Sequence, residues 1–240
     1  QFLADKFVGE KMEKFYDRTV RLLGEEEVVK LRASHVAVLG VGGVGSWACE
    51  ALVRTGIGEL TIVDFDRIEP SNLNRQVHAL QNTVGQIKVE AMANRLLAIN
   101  PELIIHSYQE KISQGYIPSY LKESDYTIDC IDDVRAKVEL ILWHRANKKR
   151  IVSSMGTGNK IGTHPFKVVD ISKTSVCPLA RAVRKKLREA GVTSGVKVLY
   201  SEEPPYSRPP INEKPGTICF CPAIAGLELS RYVIFELLSM

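Results

Sequence analysis

A glycine-rich segment contains the residues whose types and spacing are best suited to chemistry. It reads Gly40-Val41-Gly42-Gly43-Val44-Gly45-Ser46, and it lies between an apolar run and a predicted helix. We expect Gly40 to allow a tight turn, Gly42 to let the backbone approach a phosphate, and Gly45 to let the helix pack closely on a strand. The helix would point its free N–H groups and the positive end of its dipole at the anion. The segment therefore predicts nucleotide binding.

Two acidic residues, Asp64 and Asp66, follow the next apolar run at the end of a second predicted strand. The order of strand, glycine turn, helix and strand is that of a βαβ unit, whose crossover is right-handed in almost every protein. A carboxylate at the end of the second strand is placed to bind ribose hydroxyls. We therefore expect Asp64 and Asp66 to lie beside the nucleotide.

Polar and basic residues after this strand favour ATP over NAD, the dinucleotide that such a turn usually indicates. Asn72, Asn74 and Arg75 supply amide and guanidinium groups, and arginine is suited to bidentate recognition of phosphate. Lys88, further along the chain, offers a second cation. We expect Arg75 and Lys88 to hold the phosphates and to stabilise the charge that develops on leaving pyrophosphate.

Asp129 and Asp132, at the end of the fourth predicted strand, are candidate ligands of Mg²⁺. In a parallel sheet the ligand site lies at the carboxyl ends of the strands, so Asp132 can face the same crevice as Asp64. Mg²⁺ is usually held by one or two carboxylates while phosphates fill most of the other positions. A dinucleotide site requires neither this metal nor two phosphate-binding cations.

Alternating apolar runs and amphipathic stretches predict a doubly wound, mostly parallel Rossmann-like α/β sheet. The predicted strands cover residues 36–39, 60–63, 103–106, 126–130 and 151–155, and the predicted helices between them cover residues 44–55, 83–100, 112–121 and 134–147. Two helices separated at Gly24 are predicted before the first strand. One domain therefore accounts for residues 1–34 as N-terminal helices and residues 35–155 as the nucleotide-binding core.

Residues 156–240 follow a different pattern and predict a C-terminal elaboration for substrate binding or dimerisation, with antiparallel strands. Predicted elements are a strand over residues 166–171, a helix over 178–190, a strand over 196–200 and a closing helix over 224–238. Residues 202–216 contain several prolines and no periodicity, which indicates a mobile loop.

Composition limits the classes of protein that the chain can represent. The 240 residues are 45% hydrophobic and 25% charged, with a net charge of +4, as in an ordinary globular protein. No apolar run approaches the roughly 20 residues of a membrane span. The N-terminal residues lack a secretory signal, so we expect a cytoplasmic protein. Five cysteines form no even framework, which argues against disulfides.

The order of the motifs G-x-G-G-x-G-S, D-x-D, N-x-N-R-Q, G-x-x-K and D-C-x-D resembles the ubiquitin-activating superfamily of adenylating enzymes, especially the bacterial members of molybdopterin and thiamine synthesis. The resemblance implies binding of ATP–Mg²⁺ and adenylation of a carboxylate. It also implies that Asp64 holds the ribose, that Asn72, Arg75 and Lys88 hold the phosphates, and that Asp132 holds Mg²⁺.

The segment around Arg18 resembles the N-terminal R-Y-x-R-Q segment of that superfamily, in which an arginine reaches into the ATP site of the partner subunit. The resemblance implies a homodimer with Arg18 acting in trans. Here Phe15 stands for the first arginine of the motif and Thr19 for the glutamine.

Departures from the superfamily pattern direct attention to one branch. Sulfur-carrier activators usually have two C-x-x-C pairs for structural zinc, whereas this chain has only Cys219-Phe220-Cys221, from which no closed tetrahedral site can be built. Segments 54–58, 77–80, 177–181 and 222–227 resemble the tRNA threonylcarbamoyladenosine dehydratases. The branch implies a tRNA that carries threonylcarbamoyladenosine as the substrate.

Clustered basic residues agree with a nucleic-acid partner. Five lie on the predicted helix 178–190, and basic residues of this kind bind backbone phosphates. They are Arg181, Arg184, Lys185, Lys186 and Arg188. Four more lie between residues 145 and 150. The alternative is a solvated amphipathic helix without a ligand.

Three hypotheses follow for the activity. The first is ATP-dependent dehydration of threonylcarbamoyladenosine in tRNA through a carboxyl-adenylate. The second is adenylation of the C-terminal glycine of a ubiquitin-like sulfur carrier, with a sulfur-carrier or sulfurtransferase-type partner and with Cys177 or Cys219 as a thiol acceptor. The third is an NAD-binding oxidoreductase or redox-sensing module, which predicts nicotinamide binding and no effect of ATP–Mg²⁺.

Overall fold

Seven strands form one sheet in the computed structural model, which describes residues 14–113, 115–206 and 215–240. They are β1 (His35–Leu39), β2 (Glu59–Val63), β3 (Ile104–Tyr108), β4 (Tyr126–Asp129), β5 (Ile151–Ser154), β6 (Phe166–Asp170) and β7 (Lys197–Ser201). Their order is β3-β2-β1-β4-β5-β7-β6, and all neighbouring pairs are parallel except β6 and β7. The predicted mostly parallel sheet with an antiparallel C-terminal part is confirmed.

Helices cover both faces of this sheet. They are α1 (residues 14–23), α2 (Glu25–Arg32), α3 (Gly45–Thr55), α4 (Lys88–Ile99), α5 (Val134–Ala146), α6 (Pro178–Glu189) and α7 (Phe220–Leu238). Apolar residues of α2, α3, α4 and α7 share one core, and those of α5 and α6 share another. Because both faces are covered, every residue of β1 and β4 is buried.

The strand order changes direction between β1 and β4, and a crevice for a ligand is expected at such a switch point. The chain leaves β1 towards α3 and β2 on one side, and it leaves β4 towards α5 and β5 on the other. Gly40 lies directly beside the segment after β4, because a Cβ added at Gly40 would be 2.9 Å from the carbonyl oxygen of Cys130. The glycine turn and the D-C-x-D segment therefore form the two sides of one crevice.

Three predicted helices differ from the structure. The closing helix, predicted over residues 224–238, begins earlier, at Phe220. The helix predicted to begin at residue 83 begins at Lys88, because Gly85 has a φ of +88° and interrupts helical geometry. The helix predicted over residues 112–121 is absent from the described part of that range. Gly115 has a φ of +85°, and only a short 3-10 helix, Ser119–Lys122, follows Pro118.

The first turn of α7 lies beside the glycine turn, because α7 crosses α3 very closely. A Cβ added at Gly226 would be 2.4 Å from the carbonyl oxygen of Val44 and 2.8 Å from Cβ of Trp47. Ser230 Oγ also donates to the carbonyl of Ala48 at 3.0 Å. Residues before α7 are thus brought to the crevice, although most of the predicted loop 202–216, namely residues 207–214, lies outside the described residues.

Gly24 separates α1 from α2 with a φ of +100°, as the sequence predicts. Residues 1–13 of the predicted N-terminal helices lie outside the described residues. No helix in the described part of the chain is long and apolar enough to cross a membrane.

Candidate active site

The glycine turn has the geometry that phosphate binding requires. Gly40 has a φ of +85°, and a Cβ added at Gly45 would be 1.9 Å from the carbonyl oxygen of Gly40, so the helix can begin here only with glycine. A Cβ added at Gly42, in contrast, would have one neighbour among the described residues apart from those adjacent in the chain, Nε2 of Gln76 at 4.0 Å. Space in front of Gly42 is therefore open, at the N-terminus of the eleven-residue helix α3.

Asp64 is fixed against this turn. Its Oδ2 accepts the N–H of Val41 at 2.7 Å and its Oδ1 accepts the N–H of Asp66 at 2.9 Å. Burial raises the pKa of Asp64, and the nearby ammonium of Lys88 and the two backbone donors oppose that rise. The carboxylate is thus held at the carboxyl end of β2. It contacts the backbone of Val41, the residue that precedes Gly42.

Lys88 is buried in the same crevice and is held by a carboxylate. Its Nζ lies 2.8 Å from Oδ2 of Asp66 and 4.0 Å from Oδ1 of Asp64, and only 7% of its side chain is exposed. The backbone N–H of Lys88 also donates to the carbonyl of Asp66 at 3.1 Å. The ion pair between Lys88 and Asp66 therefore holds one cation at a fixed position beside Asp64, the predicted ribose-binding residue.

Arg75 lies over Gly43. A Cβ added at Gly43 would be 3.4 Å from Cγ and Cδ of Arg75, and 3.1 Å from Cβ of Pro222. The guanidinium Nη1 donates to the carbonyl of Ser71 at 2.7 Å and to Oδ1 of Asn74 at 2.8 Å. These contacts direct the guanidinium along one wall of the crevice and leave its other N–H groups available.

Trp47 and the segment before α7 fix the position of Arg75, and the sequence did not reveal either of them. Trp47 Nε1 donates to the carbonyl of Arg75 at 3.0 Å, and Asn74 Nδ2 donates to the carbonyl of Thr217 at 3.1 Å. Glycine at position 226, within a mainly apolar helix, was the signal for the close α3–α7 crossing. Its partner helix could not be identified from sequence spacing.

Two predicted nucleotide-binding side chains are engaged in local contacts. Asn72 is buried and its Oδ1 accepts the N–H of Glu69 at 3.0 Å, which caps a short 3-10 helix. Ser46 is fully buried and its Oγ accepts the N–H of Val77 at 3.3 Å. Both residues support the crevice from behind, since their oxygen atoms bind backbone groups of the chain itself.

The three acidic residues at the end of β4 and just after it differ in burial and in contacts. Asp129 is completely buried, and its Oδ2 lies 2.8 Å from Nζ of Lys137, which is equally buried. The prediction that Asp129 holds Mg²⁺ is therefore wrong, because its carboxylate is committed to this ion pair away from solvent. Asp133 caps α5 by accepting the N–H of Ala136 at 2.8 Å. Asp132 is exposed between them and makes no hydrogen bond or ion pair with the described residues.

The remaining predicted residues lie outside the crevice. Arg18 is exposed on α1, which packs through Tyr16 at the opposite end of α3 from the glycine turn. Arg181, Lys185 and Arg188 form an exposed stripe on α6 and line a surface cavity of about 450 Å³. Arg184 is half-buried and donates to the carbonyl of Thr174 at 2.8 Å. Lys186 is also half-buried.

Three of the four other clustered cations support the backbone. Arg145 donates to the carbonyl of Gly195 at 2.9 Å, Lys149 to that of Ser124 at 3.3 Å, and Arg150 to that of Asp125 at 3.2 Å. These residues lie in the last turn of α5 or just after it, at the amino ends of the strands and away from the crevice. They are thus not part of a continuous basic surface at the candidate site.

Comparisons with known proteins agree with this geometry. A protein-family model described as the ThiF family matches residues 16–234. The tRNA threonylcarbamoyladenosine dehydratase of Bacillus subtilis (strain 168) is 38% identical over 242 residues, which cover 93% of this chain and 94% of the relative. Crystal structures of the E. coli tRNA N6-threonylcarbamoyladenosine dehydratase in complex with AMP and with ATP match at a TM-score of 0.87 and 34% identity, over 94% of each chain.

A relative with another name matches a smaller part of the chain. The molybdopterin-synthase adenylyltransferase of Escherichia coli (strain K12) is 36% identical over 123 residues, which cover 51% of this chain and 49% of that protein. Similarity to the dehydratases therefore extends well beyond the nucleotide-binding half.

In the part of the chain that the structure describes, no group of three or more His, Cys, Asp or Glu residues could hold a metal ion.

Proposed function

This chain belongs to the ThiF family, and from that premise we propose that it is an ATP-dependent tRNA threonylcarbamoyladenosine dehydratase. The observation that carries the proposal is the similarity over 93% of the chain to a protein of that name, including the C-terminal third. A crevice with one fixed carboxylate, one buried lysine and one arginine over a glycine turn is the arrangement that an adenylating enzyme requires.

The reaction has two steps. An oxygen of the threonyl carboxylate attacks the α-phosphorus of ATP, the bond between the α-phosphorus and the bridging oxygen breaks, and pyrophosphate leaves. A nitrogen of the same modified side chain then attacks the acyl carbon, the carboxylate oxygen departs on AMP, and the nitrogen loses its proton. The nucleoside loses one molecule of water in total. Because the second step is intramolecular, proximity alone accelerates it strongly and no enzyme nucleophile is needed.

Residues of the crevice have distinct tasks in this scheme. Asp64 accepts the ribose hydroxyls, while the backbone of the glycine turn and the N-terminus of α3 bind the phosphates. Arg75 and Lys88 stabilise the charge on the leaving pyrophosphate. Both cations are already held in position by Ser71, Asn74 and Asp66, so little reorganisation accompanies the reaction.

Asp132 is the residue that we propose to hold Mg²⁺. Its exposed carboxylate at the carboxyl end of β4 fits the donor preference of Mg²⁺, which takes one or two carboxylates together with phosphate oxygens. When bound, Mg²⁺ would neutralise phosphate charge. The buried Asp129 has no part in this task.

We also propose that the exposed stripe Arg181, Lys185 and Arg188 binds the tRNA backbone. Helix α6 runs from the carboxyl edge of the sheet, because it precedes β7, which is parallel to β5. A Cβ added at Gly156, directly after β5, would be 3.5 Å from Sγ of Cys177, the residue that precedes α6. The stripe therefore begins on the crevice side of the molecule, where the modified nucleoside must be presented. A tRNA substrate agrees with a cytoplasmic location.

A homodimer with Arg18 acting in trans completes the proposal. Arg18 lies at the far end of α3 from the glycine turn of its own chain, so it can serve an ATP site only in a second copy. An exposed apolar stripe, Phe220, Ile224 and Leu227, follows the i, i+4, i+7 spacing of one face of α7. This stripe adjoins the crevice through Pro222 and offers a surface for such a partner.

Incubation with ATP–Mg²⁺ and tRNA carrying threonylcarbamoyladenosine tests the function by nucleoside mass spectrometry. We expect a mass loss of one water with wild-type protein, and a loss of activity of about a hundredfold or more in Arg75→Ala. Arg54→Ala, at the opposite end of α3, is the matched control and should retain activity. Absence of the mass loss, together with pyrophosphate exchange that requires a sulfur-carrier protein, would instead support the carrier-adenylating function.

A further inference from the structure

Gln76, the last residue of the N-x-N-R-Q motif, has no task in the scheme above, yet its side chain lies at the glycine turn. Gln76 is 6% exposed. Its Oε1 is buried without a hydrogen-bond partner among the described residues. Apart from the two chain neighbours, Nε2 of Gln76 is the one atom of the described residues within 4 Å of a Cβ added at Gly42, at a distance of 4.0 Å. The carboxamide is therefore aimed at the open space in front of Gly42.

Backbone contacts on both sides hold Gln76 in this position. Its own N–H donates to the carbonyl of Asn72 at 3.0 Å, and its carbonyl accepts the N–H of Ala79 at 3.0 Å. The neighbouring residues are fixed by Trp47 and Ser46, which bond the backbone of Arg75 and Val77. A buried Oε1 without a partner opposes folding, so its retention at a rigid position indicates that the carboxamide serves a ligand through its other end, the donor Nε2.

The contacts of Asp64 identify which part of a nucleotide would occupy that space. Asp64, proposed to bind the ribose, accepts the N–H of Val41, the residue next to Gly42. The phosphate bonded directly to the ribose must then lie over Gly42, facing the N-terminus of α3. Nε2 of Gln76 is a neutral N–H donor on the other side of the same space.

We propose that Gln76 is a catalytic residue whose Nε2 donates a hydrogen bond to a non-bridging oxygen of the α-phosphate. The inference rests on the proposed function. In that reaction the α-phosphate, which Gln76 would contact, is the group that the substrate carboxylate attacks. Negative charge on these oxygens is shared with the attacking and leaving oxygens during the reaction, so a fixed donor here stabilises the transition state. Arg75 and Gln76 thus face neighbouring phosphates from neighbouring positions of one segment.

Binding of AMP to purified protein tests the contact without tRNA. In Gln76→Glu a carboxylate replaces the donor, and we expect the affinity for AMP to fall by about tenfold to a hundredfold. Gln76→Met, which keeps the length of the side chain without its polar atoms, should lose about tenfold. The matched control Gln81→Glu introduces the same charge at an exposed position and should stay within about twofold of wild type.

Thermal unfolding without nucleotide separates this role from a structural one. If Gln76 only supported the fold, Gln76→Met would melt at a lower temperature than wild type. Because Oε1 of Gln76 is buried without a partner among the described residues, we expect Gln76→Met to melt at the wild-type temperature or above it, while its stabilisation by AMP decreases.

These experiments distinguish a failure of the Gln76 proposal from a failure of the proposed function. Unchanged AMP affinity in Gln76→Glu with an unchanged melting temperature would overturn the role of Gln76, whatever the substrate. Wild-type protein that binds AMP but does not dehydrate the tRNA nucleoside would overturn the proposed function and leave the AMP measurements as a test of Gln76. In an active enzyme, both Gln76 variants should also lower kcat, whereas Gln81→Glu should not.

Discussion

Asp129 and Asp132 stand in one short motif, yet their surroundings give them different chemistry. The carboxylate of Asp129 is fully buried against Lys137, whereas that of Asp132 faces solvent at the rim of the crevice. A buried ion pair is sensitive to the loss of either partner, because the charge that remains cannot be solvated. The two residues should therefore respond to the same substitution in opposite ways.

Asp129→Ala should reduce the free energy of unfolding by about 3–5 kcal/mol, because the ammonium of Lys137 would remain buried without a counter-charge. Asp132→Ala is the matched control and should unfold as the wild type does, but it should lose ATP-dependent activity. Urea denaturation measures the first effect and the tRNA nucleoside assay measures the second. Equal stability of the two variants would contradict the assignment of Asp129 to the fold.

His78 should make the protein less stable in mild acid. Burial, followed by the charges of Lys88 and Arg95, lowers the pKa of His78 from 6.5 to about 4. The unfolded chain binds a proton near pH 6.5 while the folded chain does not, so stability is complete above that pH and is lost as the pH falls towards 4. The full loss is about 3 kcal/mol, from about 1.4 kcal/mol per unit of pKa shift.

Urea denaturation at about pH 7 and about pH 5 measures this effect, and His78→Leu should reduce the difference by about 2 kcal/mol. The pKa values of buried His35 and His144 are also lowered by burial, so part of the loss should remain. His164→Leu, at an exposed position, is the control and should leave the difference as in wild type. An unchanged difference in His78→Leu would contradict the shifted pKa.

At the scale of elements, the basic residues of α5 and α6 have different functions although both groups are dense in the sequence. Three cations at the C-terminal end of α5 and just after it donate to backbone carbonyls, while one face of α6 presents Arg181, Lys185 and Arg188 to solvent. Helical spacing makes these three residues neighbours on one face. Of the two groups, the stripe on α6 is therefore the one that we propose for the phosphates of a bound tRNA.

Replacement of the three stripe residues by alanine should weaken tRNA binding and leave AMP binding unchanged. Each lost phosphate contact lowers the slope of log affinity against log salt by about 0.9, so the slope should fall by up to about three units. Filter binding at several salt concentrations measures the slope. A triple variant of the exposed lysines Lys30, Lys122 and Lys148 removes the same charge, and an equal loss there would contradict a specific role for α6.

At the scale of the whole molecule, α3 separates Arg18 from the crevice of its own chain. This helix has 11 residues and therefore extends about 16 Å. Tyr16, two residues before Arg18, packs beside Gly56 at one end of α3, and the glycine turn lies at the other end. The hydroxyl of Tyr16 also bonds Nδ2 of Asn100 at 3.2 Å, which fixes α1 at the amino edge of the sheet.

Mixed dimers of two inactive variants test the proposed homodimer. If Arg18 acts in trans, a re-equilibrated mixture of Arg18→Ala and Arg75→Ala should regain about a quarter of wild-type activity, because half of the dimers would contain one intact site. Analytical ultracentrifugation should show the dimer itself. Activity no greater than that of the separate variants, in a mixture shown to form mixed dimers, would exclude action in trans.

The sequence by itself determined the βαβ unit, the parallel order of the core and the motif residues of the crevice. Glycine spacing, apolar runs and adjacent polar residues are local patterns, and a short turn leaves the backbone few conformations. The position of Asp64 at the end of β2 followed from this local logic. The start of α4 and the absence of a helix over 112–121 did not, since glycines with positive φ overrode the apolar periodicity.

Which candidate side chains are free to line the crevice depends on tertiary packing. Burial of Asp129 with Lys137, the commitment of Asn72 and Ser46 to backbone groups, and the approach of Pro222 to Gly43 all depend on contacts between residues distant in the chain. The same is true of Gln76, whose orientation towards Gly42 is set by α3 and the segment after β2. Sequence patterns identify residue types and spacing, whereas packing fixes each side chain's solvent access and partner.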